Sequence, residues 1–169
     1  VIGMDYGYTH YTVALLACRD HDDNLYIVDE HAERGWIPQQ HLDAIKAMLQ
    51  RHKISTNRSK TITSDADIAI AASYPPVFSH YRRFLTGFVT GSDLFRHESN
   101  GSTIASQFSG LGVTPRAANT NRVQGWTAIL DRLGNPDAGI KPTLFIHKRC
   151  TRLLNTLPYL HHDPDQPAD

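Results

Sequence analysis

Two cysteines among 169 residues, Cys18 and Cys150, are too few for a disulfide scaffold. Neither has the closely spaced companions that a zinc site needs, so reduced thiols of a cytosolic protein are expected. Excess charge is lacking too: Lys+Arg and Asp+Glu number 17 each. Bulk electrostatics therefore gives no case for a nucleic-acid partner, and only local patches could make one. No apolar run approaches the roughly 20 residues of a bilayer-spanning helix, and no secretory leader is visible. The Gly-x-x-x-x-Gly-Lys-Ser/Thr loop is absent, which excludes a phosphate-loop NTPase in this stretch. Histidine, by contrast, is plentiful, with ten residues scattered from His10 to His162. None forms an HxxxH ligand set, and most are read as surface residues.

What remains is a globular composition, 40% hydrophobic, at a length suited to one domain and one core. Residues 1–7, 11–19 and 25–28 have strand patterns, and Asp20 to Asn24 is a turn cluster between the last two. Pro38 opens a helix in which Leu42, Ile45, Met48 and Leu49 recur at helical spacing. Regularity fades over residues 55–83, where Pro75-Pro76 breaks any element, and this stretch reads as an insertion or excursion. A strand at 84–89 then runs into Gly91-Ser92-Asp93. A short helix near 102–110, a strand at 113–118 and a helix near 121–133 follow. A strand at 143–147 and a helix over 149–157 complete the order. The apolar face of the 121–133 helix is Val123, Trp126, Ile129, Leu130 and Leu133, and Trp126 and Phe108 read as core residues. The order β-β-β-α, excursion, β-α-β-α-β-α predicts an α/β fold: a mixed sheet flanked by helices, as expected of a ribonuclease H-like domain.

In such a sheet the first strand and the strand after the first helix are neighbours. Asp5 closes the first and Asp93 follows the second, so their carboxylates are expected on one edge of the sheet. Paired oxygen ligands there suit Mg²⁺ or Mn²⁺, and two such ions about 4 Å apart can hydrolyse a phosphodiester. Each acid also has a plain structural reading, Asp5 as a turn former and Asp93 as a loop residue or cap. Asp65 and Asp67 follow a strand-like 61–63 and compete for the second position. Glu30 is a possible further acid at the rim, or a solvated charge.

The segments Ile2-Gly3-Met4-Asp5-Tyr6-Gly7, Tyr26-Ile27-Val28-Asp29-Glu30-His31 and Trp36-Ile37-Pro38-Gln39-Gln40-His41 carry a resemblance, continued by Gly91-Ser92-Asp93-Leu94-Phe95. So do Ala118-Asn119-Thr120-Asn121-Arg122-Val123-Gln124-Gly125-Trp126, Cys150-Thr151-Arg152-Leu153-Leu154 and Leu157-Pro158-Tyr159. In order and spacing the chain resembles the C-terminal nuclease domain of the large terminase subunit of tailed phages and prophages. The likeness runs over nearly all of it outside 55–83. It implies a metal-dependent endonuclease that cuts concatemeric double-stranded DNA during packaging, with Asp5 and Asp93 as catalytic metal ligands for Mg²⁺ or Mn²⁺. It also implies a packaging ATPase domain, a small terminase subunit and a portal protein as partners, no membrane association, and the bacterial host cytoplasm as location. The family's third acidic ligand belongs to a later Asp-Asp-x-x-Asp motif that has no counterpart before Asp169. The chain, opening on Val1 within a strand, is thus expected to be one nuclease domain, 1–169, lacking the ATPase domain and the end of the nuclease.

Arg116, Arg122, Lys148, Arg149 and Arg152 gather in the C-terminal half of the sequence as DNA-contact candidates. Arg51, Lys53, Arg58 and Lys60 lie near the excursion, which also holds Arg82 and Arg83. Neutralised phosphates would make binding salt-dependent. Two rival readings are a ribonuclease H-like ATPase of the actin or sugar-kinase type and a non-catalytic docking module of the packaging motor. The first needs a second copy of the fold, for which 169 residues have no room.

Overall fold

The computed structural model describes residues 1–55, 85–97, 101–112 and 114–159. Strand β1 (Ile2–Asp5) lies at the centre of a six-stranded sheet of order β5-β4-β1-β2-β3-β6. Strands β2 (Thr12–Arg19) and β3 (Leu25–Glu33) continue from it as an antiparallel meander. Strands β4 (Phe88–Thr90) and β5 (Arg116–Ala117) add parallel to β1 on its other side. Strand β6 (Leu144–Ile146) joins β3 in parallel and forms the far edge. The three-strand meander followed by parallel additions is the one the sequence order predicts. β3 runs well past residue 28, because its backbone stays paired with β2 out to Glu33 opposite Thr12.

One face of the sheet holds the core. Alternation places Ile2, Met4, Ala14, Leu16, Phe88 and Thr90 on that face, and all are buried. Helix α1 (Pro38–Arg51) lays Leu42, Ile45, Met48 and Leu49 over them. Pro38 fits the first helical turn, where its missing N–H costs nothing, and Gln40 Oε1 accepts from the Ile37 amide at 3.0 Å. Phe108 and Leu111 close the end of this core from the short α2 (Ile104–Gln107) and the 3-10 turn after it, with the Phe108 ring edge-on to Phe88 at 5.7 Å. Phe108 is therefore a core residue, as expected.

The other face is different. Val13, Leu15 and Val89 point to it and are only half-buried. Helix α3 (Arg122–Leu133) has no buried residue, and Val123, Trp126, Leu130 and Leu133 are all exposed. Trp126 is thus not the core residue its spacing suggests. Amphipathic periodicity marks an apolar stripe but does not say what covers it. α3 stops at Gly134 (φ +73°), where an added Cβ would come within 2.6 Å of the Ile140 carbonyl oxygen, so only glycine fits. The Thr143 amide then bonds to Arg132 O at 2.8 Å and leads into β6.

Helix α4 (Thr151–Thr156) returns against β3. Cys150, fully buried at this junction, sits with Sγ 3.7 Å from Ile27 O, and its thiol is pushed up to about 11 by burial and then by the nearby Glu30 and Asp29 charges. Neither cysteine is in a disulfide. Among the described residues, no helix is long and apolar enough to cross a membrane.

Candidate active site

Parallel pairing of β1 with β4 sets Met4 opposite Thr90, so Asp5 and Gly91 are next in line at the carboxyl ends of the two strands. A Cβ added to Gly91 would stand 3.9 Å from Asp5 Oδ1, the distance of ordinary contact. Asp93 lies two residues further, in the 3-10 turn Ser92–Phe95. Both acids are exposed. The carboxyl edge of an open α/β sheet is where such folds bind ligands, because the strand ends and their loops converge there. The turn beyond Asp5 is fixed by Thr12: its buried hydroxyl donates to Gly7 O at 2.7 Å and accepts from Gly7 N at 3.1 Å. That cross-tie holds the backbone behind Asp5 in place.

Asp93 Oδ1 pairs with Arg96 Nη2 at 3.2 Å, both side chains being more than 70% exposed. Such pairs hold weakly in water and are screened by salt, so Arg96 competes only mildly for the carboxylate. Two exposed carboxylates on this edge have the hard-oxygen character that Mg²⁺ and Mn²⁺ take, with water completing the shell. Among the described residues, no three of His, Cys, Asp and Glu stand together as a metal-holding group.

The other sequence candidates are dispersed. Asp65 and Asp67 lie outside the described residues, as do Arg58, Lys60, Arg82 and Arg83. Glu30 is on β3, two strands from β1, and its two oxygens accept from the first-turn amides of α4, Leu153 N at 3.0 Å and Arg152 N. It caps a helix, a favourable place for a negative charge. The basic residues that cluster in sequence divide between opposite edges of the sheet. Arg116 is on β5 and Arg122 opens α3, whereas Lys148, Arg149 and Arg152 follow β6. Five strand spacings separate those edges, about 24 Å. Arg152 stands over the Tyr11 ring, its Cζ 3.4 Å from the centroid. Arg149 Nη1 is 3.6 Å from Asp29 Oδ2.

Asp29 is the hub that sequence inspection missed. It is 4% exposed, and its Oδ2 also meets Arg51 Nη2 at 3.1 Å and His52 Nε2 at 2.9 Å. Burial pushes the carboxyl up, but hydrogen bonds from His52 and Arg51, with the Arg51 charge, outweigh it and hold it below the usual range. The hub ties β3, the end of α1 and the β6–α4 turn together.

A second missed pair is His31 and His41. His31 Nε2 lies 2.8 Å from His41 Nδ1, and His41 is fully buried with no partner at Nε2 among the described residues. Burial holds both imidazoles below their ordinary value, with the neighbouring ring adding to the effect at His31. Tyr6, next to Asp5, sets its ring edge-on to His41 at 5.9 Å. The signal was there in the spacing: His41 falls four residues before Ile45, on the α1 apolar stripe. It is a core histidine, an exception to the surface reading given to most of the ten.

The mixed six-stranded sheet with its meander-first topology and flanking helices is an α/β fold of the ribonuclease H-like kind. Among solved structures, that of the P22 large terminase nuclease domain superimposes on the chain with a TM-score of 0.60 at 11% sequence identity, covering 98% of this chain and 69% of that one. The chain thus has the fold of a terminase nuclease domain. No protein-family model and no curated protein matches it.

Proposed function

We propose that the chain is the nuclease domain of a phage DNA-packaging terminase, a metal-dependent endonuclease acting on double-stranded DNA. The observation that carries this reading is the β1–β4 pairing, which brings Asp5 beside Gly91 and so to the same sheet edge as Asp93. The fold shared with the P22 domain supports it. Asp5 and Asp93 would hold Mg²⁺ or Mn²⁺ there. Such an ion supplies charge for the phosphodiester oxygens and lowers the pKa of attacking water. The protein's part is to fix Asp5 on a central strand with its turn clamped by Thr12, and to present Asp93 from a short turn whose Arg96 pairing is easily given up.

The partners would be duplex DNA, contacted through its backbone, together with the packaging ATPase, the small terminase subunit and the portal protein. Work in the cytoplasm of a bacterial host follows from that role. Asp5→Asn and Asp93→Asn are each expected to reduce Mn²⁺-dependent nicking of supercoiled plasmid to background with the melting temperature kept. Undiminished nicking by either variant sinks that residue's assignment. Calorimetric titration with Mn²⁺ distinguishes the docking-module alternative, for which no carboxylate-dependent heat is expected.

A further inference from the structure

Beside the two acids, one strand further out, lies an open groove of about 280 Å³ lined by Asn119, Thr120, Arg122, Gly125, Trp126 and Ile129, with Asn121 at the helix start. It shares the acids' edge of the sheet, because the Ala118 amide bonds to Thr90 O at 2.8 Å and brings the β5–α3 loop alongside Gly91. Three features of the lining point to what it takes. Among the described residues that line it none is acidic, and Arg122 is a cation on its wall. Trp126 offers its indole at 43% exposure.

Gly125 is the third. It sits inside a twelve-residue helix, where glycine is less favourable than alanine, yet a Cβ there would meet nothing within 4 Å. Internal packing does not require this glycine. Its missing side chain keeps the groove wall low, as is needed where a backbone must be approached closely.

We propose that this groove holds one nucleotide, unstacked from the duplex, of the DNA strand presented to Asp5 and Asp93, with its base against Trp126 and its phosphate at Arg122. The assignment rests on the nuclease reading and adds to it a subsite that positions the strand. An aromatic platform suits any base, so the subsite grips without reading sequence.

The test is a titration of the 169-residue chain with an eight-nucleotide oligothymidylate in EDTA. Wild type is expected to show tryptophan quenching that disappears in Trp126→Phe, since the only other tryptophan is Trp36. By anisotropy of a labelled oligonucleotide, Trp126→Ala is expected to bind about 5- to 100-fold more weakly. Gly125→Ala and Gly125→Leu are expected to weaken binding while leaving the melting temperature equal or higher, because both residues favour helix. A purely structural role for the helix does not move these two readouts in opposite directions. Unchanged affinity in Trp126→Ala and Gly125→Leu overturns the subsite. So does Trp126 emission that shifts with protein concentration alone, which makes a second copy of the chain the occupant. Asp5→Asn separates the two readings: oligonucleotide binding should persist while nicking is lost. Binding kept alongside undiminished nicking defeats the assignment of Asp5 but supports the groove. Nicking that depends on Asp5 without oligonucleotide binding defeats the groove alone.

Discussion

Helices α1 and α3 carry similar apolar stripes, fourteen and twelve residues long, and meet opposite fates. On α1 five residues are buried, His41 among them; on α3 none is. The sheet shows the same division, since its α1 face is buried while Val13, Leu15 and Val89 on the reverse stay half-exposed. Stability in this domain is thus concentrated in one layer. Burial of apolar area holds α1 in place, whereas α3 is fastened at its ends, by Asn121 accepting from Gln124 N at 3.0 Å and by Arg132 reaching Asp23 at 3.1 Å.

The sharpest way to break this contrast is to remove volume from each side in turn. Phe88→Ala, at a fully buried ring on β4, should cost about 3–5 kcal/mol by urea unfolding. Leu49→Ala on α1 should cost about 2–5 kcal/mol. Leu130→Ala on α3, 62% exposed, should stay within about 0.5 kcal/mol. If Leu130→Ala matches Leu49→Ala, then α3 is covered in solution and the two helices are alike after all.

Between those extremes lies the Asp29 hub. Asp29→Ala should destabilise by about 2 kcal/mol, because a buried carboxylate loses charged hydrogen bonds while Arg51 and Arg149, half-exposed, can turn to water. Its folded value is depressed, so its contribution is complete above the ordinary carboxyl value of 3.8 and is lost as pH falls through the lowered one.

The histidine pair gives the gentlest test. His31 and His41 favour the neutral form when folded, so the unfolded chain binds more protons on acidification. Stability should be full above the ordinary imidazole value of 6.5 and decline below it, by at most about 1.4 kcal/mol per pH unit for each ring. Urea midpoints between pH 8 and 5 read this directly, and His41→Gln should flatten the slope. A flat wild-type curve means that the pair opens to water without cost.

The same contrast separates what the sequence could tell from what it could not. The central strand, the meander and the α1 stripe were legible because each is a local pattern of period 2 or 3.6. The nearness of Asp5 to the Gly91-Ser92-Asp93 turn was legible too, since the topology makes β1 and β4 neighbours. Asp29 was not: its partners Arg51, His52 and Arg149 are brought in by folding from positions far along the chain. Glu30 likewise meets α4 more than a hundred residues later. The division of the basic residues was equally hidden, since they are near in sequence but stand on two edges of the sheet. Trp126 misled because periodicity cannot distinguish a covered stripe from an open one.

The thiol of Cys150 gives the molecule its own stopwatch. With a value of about 11, roughly one thiol in ten thousand is thiolate at neutral pH, and burial blocks reagents from even that fraction. Cys18, exposed, reacts as soon as a disulfide reagent arrives and sets the zero of time. Later labelling at Cys150 that outpaces global unfolding counts moments when α4 has lifted from β3. The two sulfurs in one tube therefore report how often the seam between β3, β6 and α4 parts while the rest of the domain stays folded.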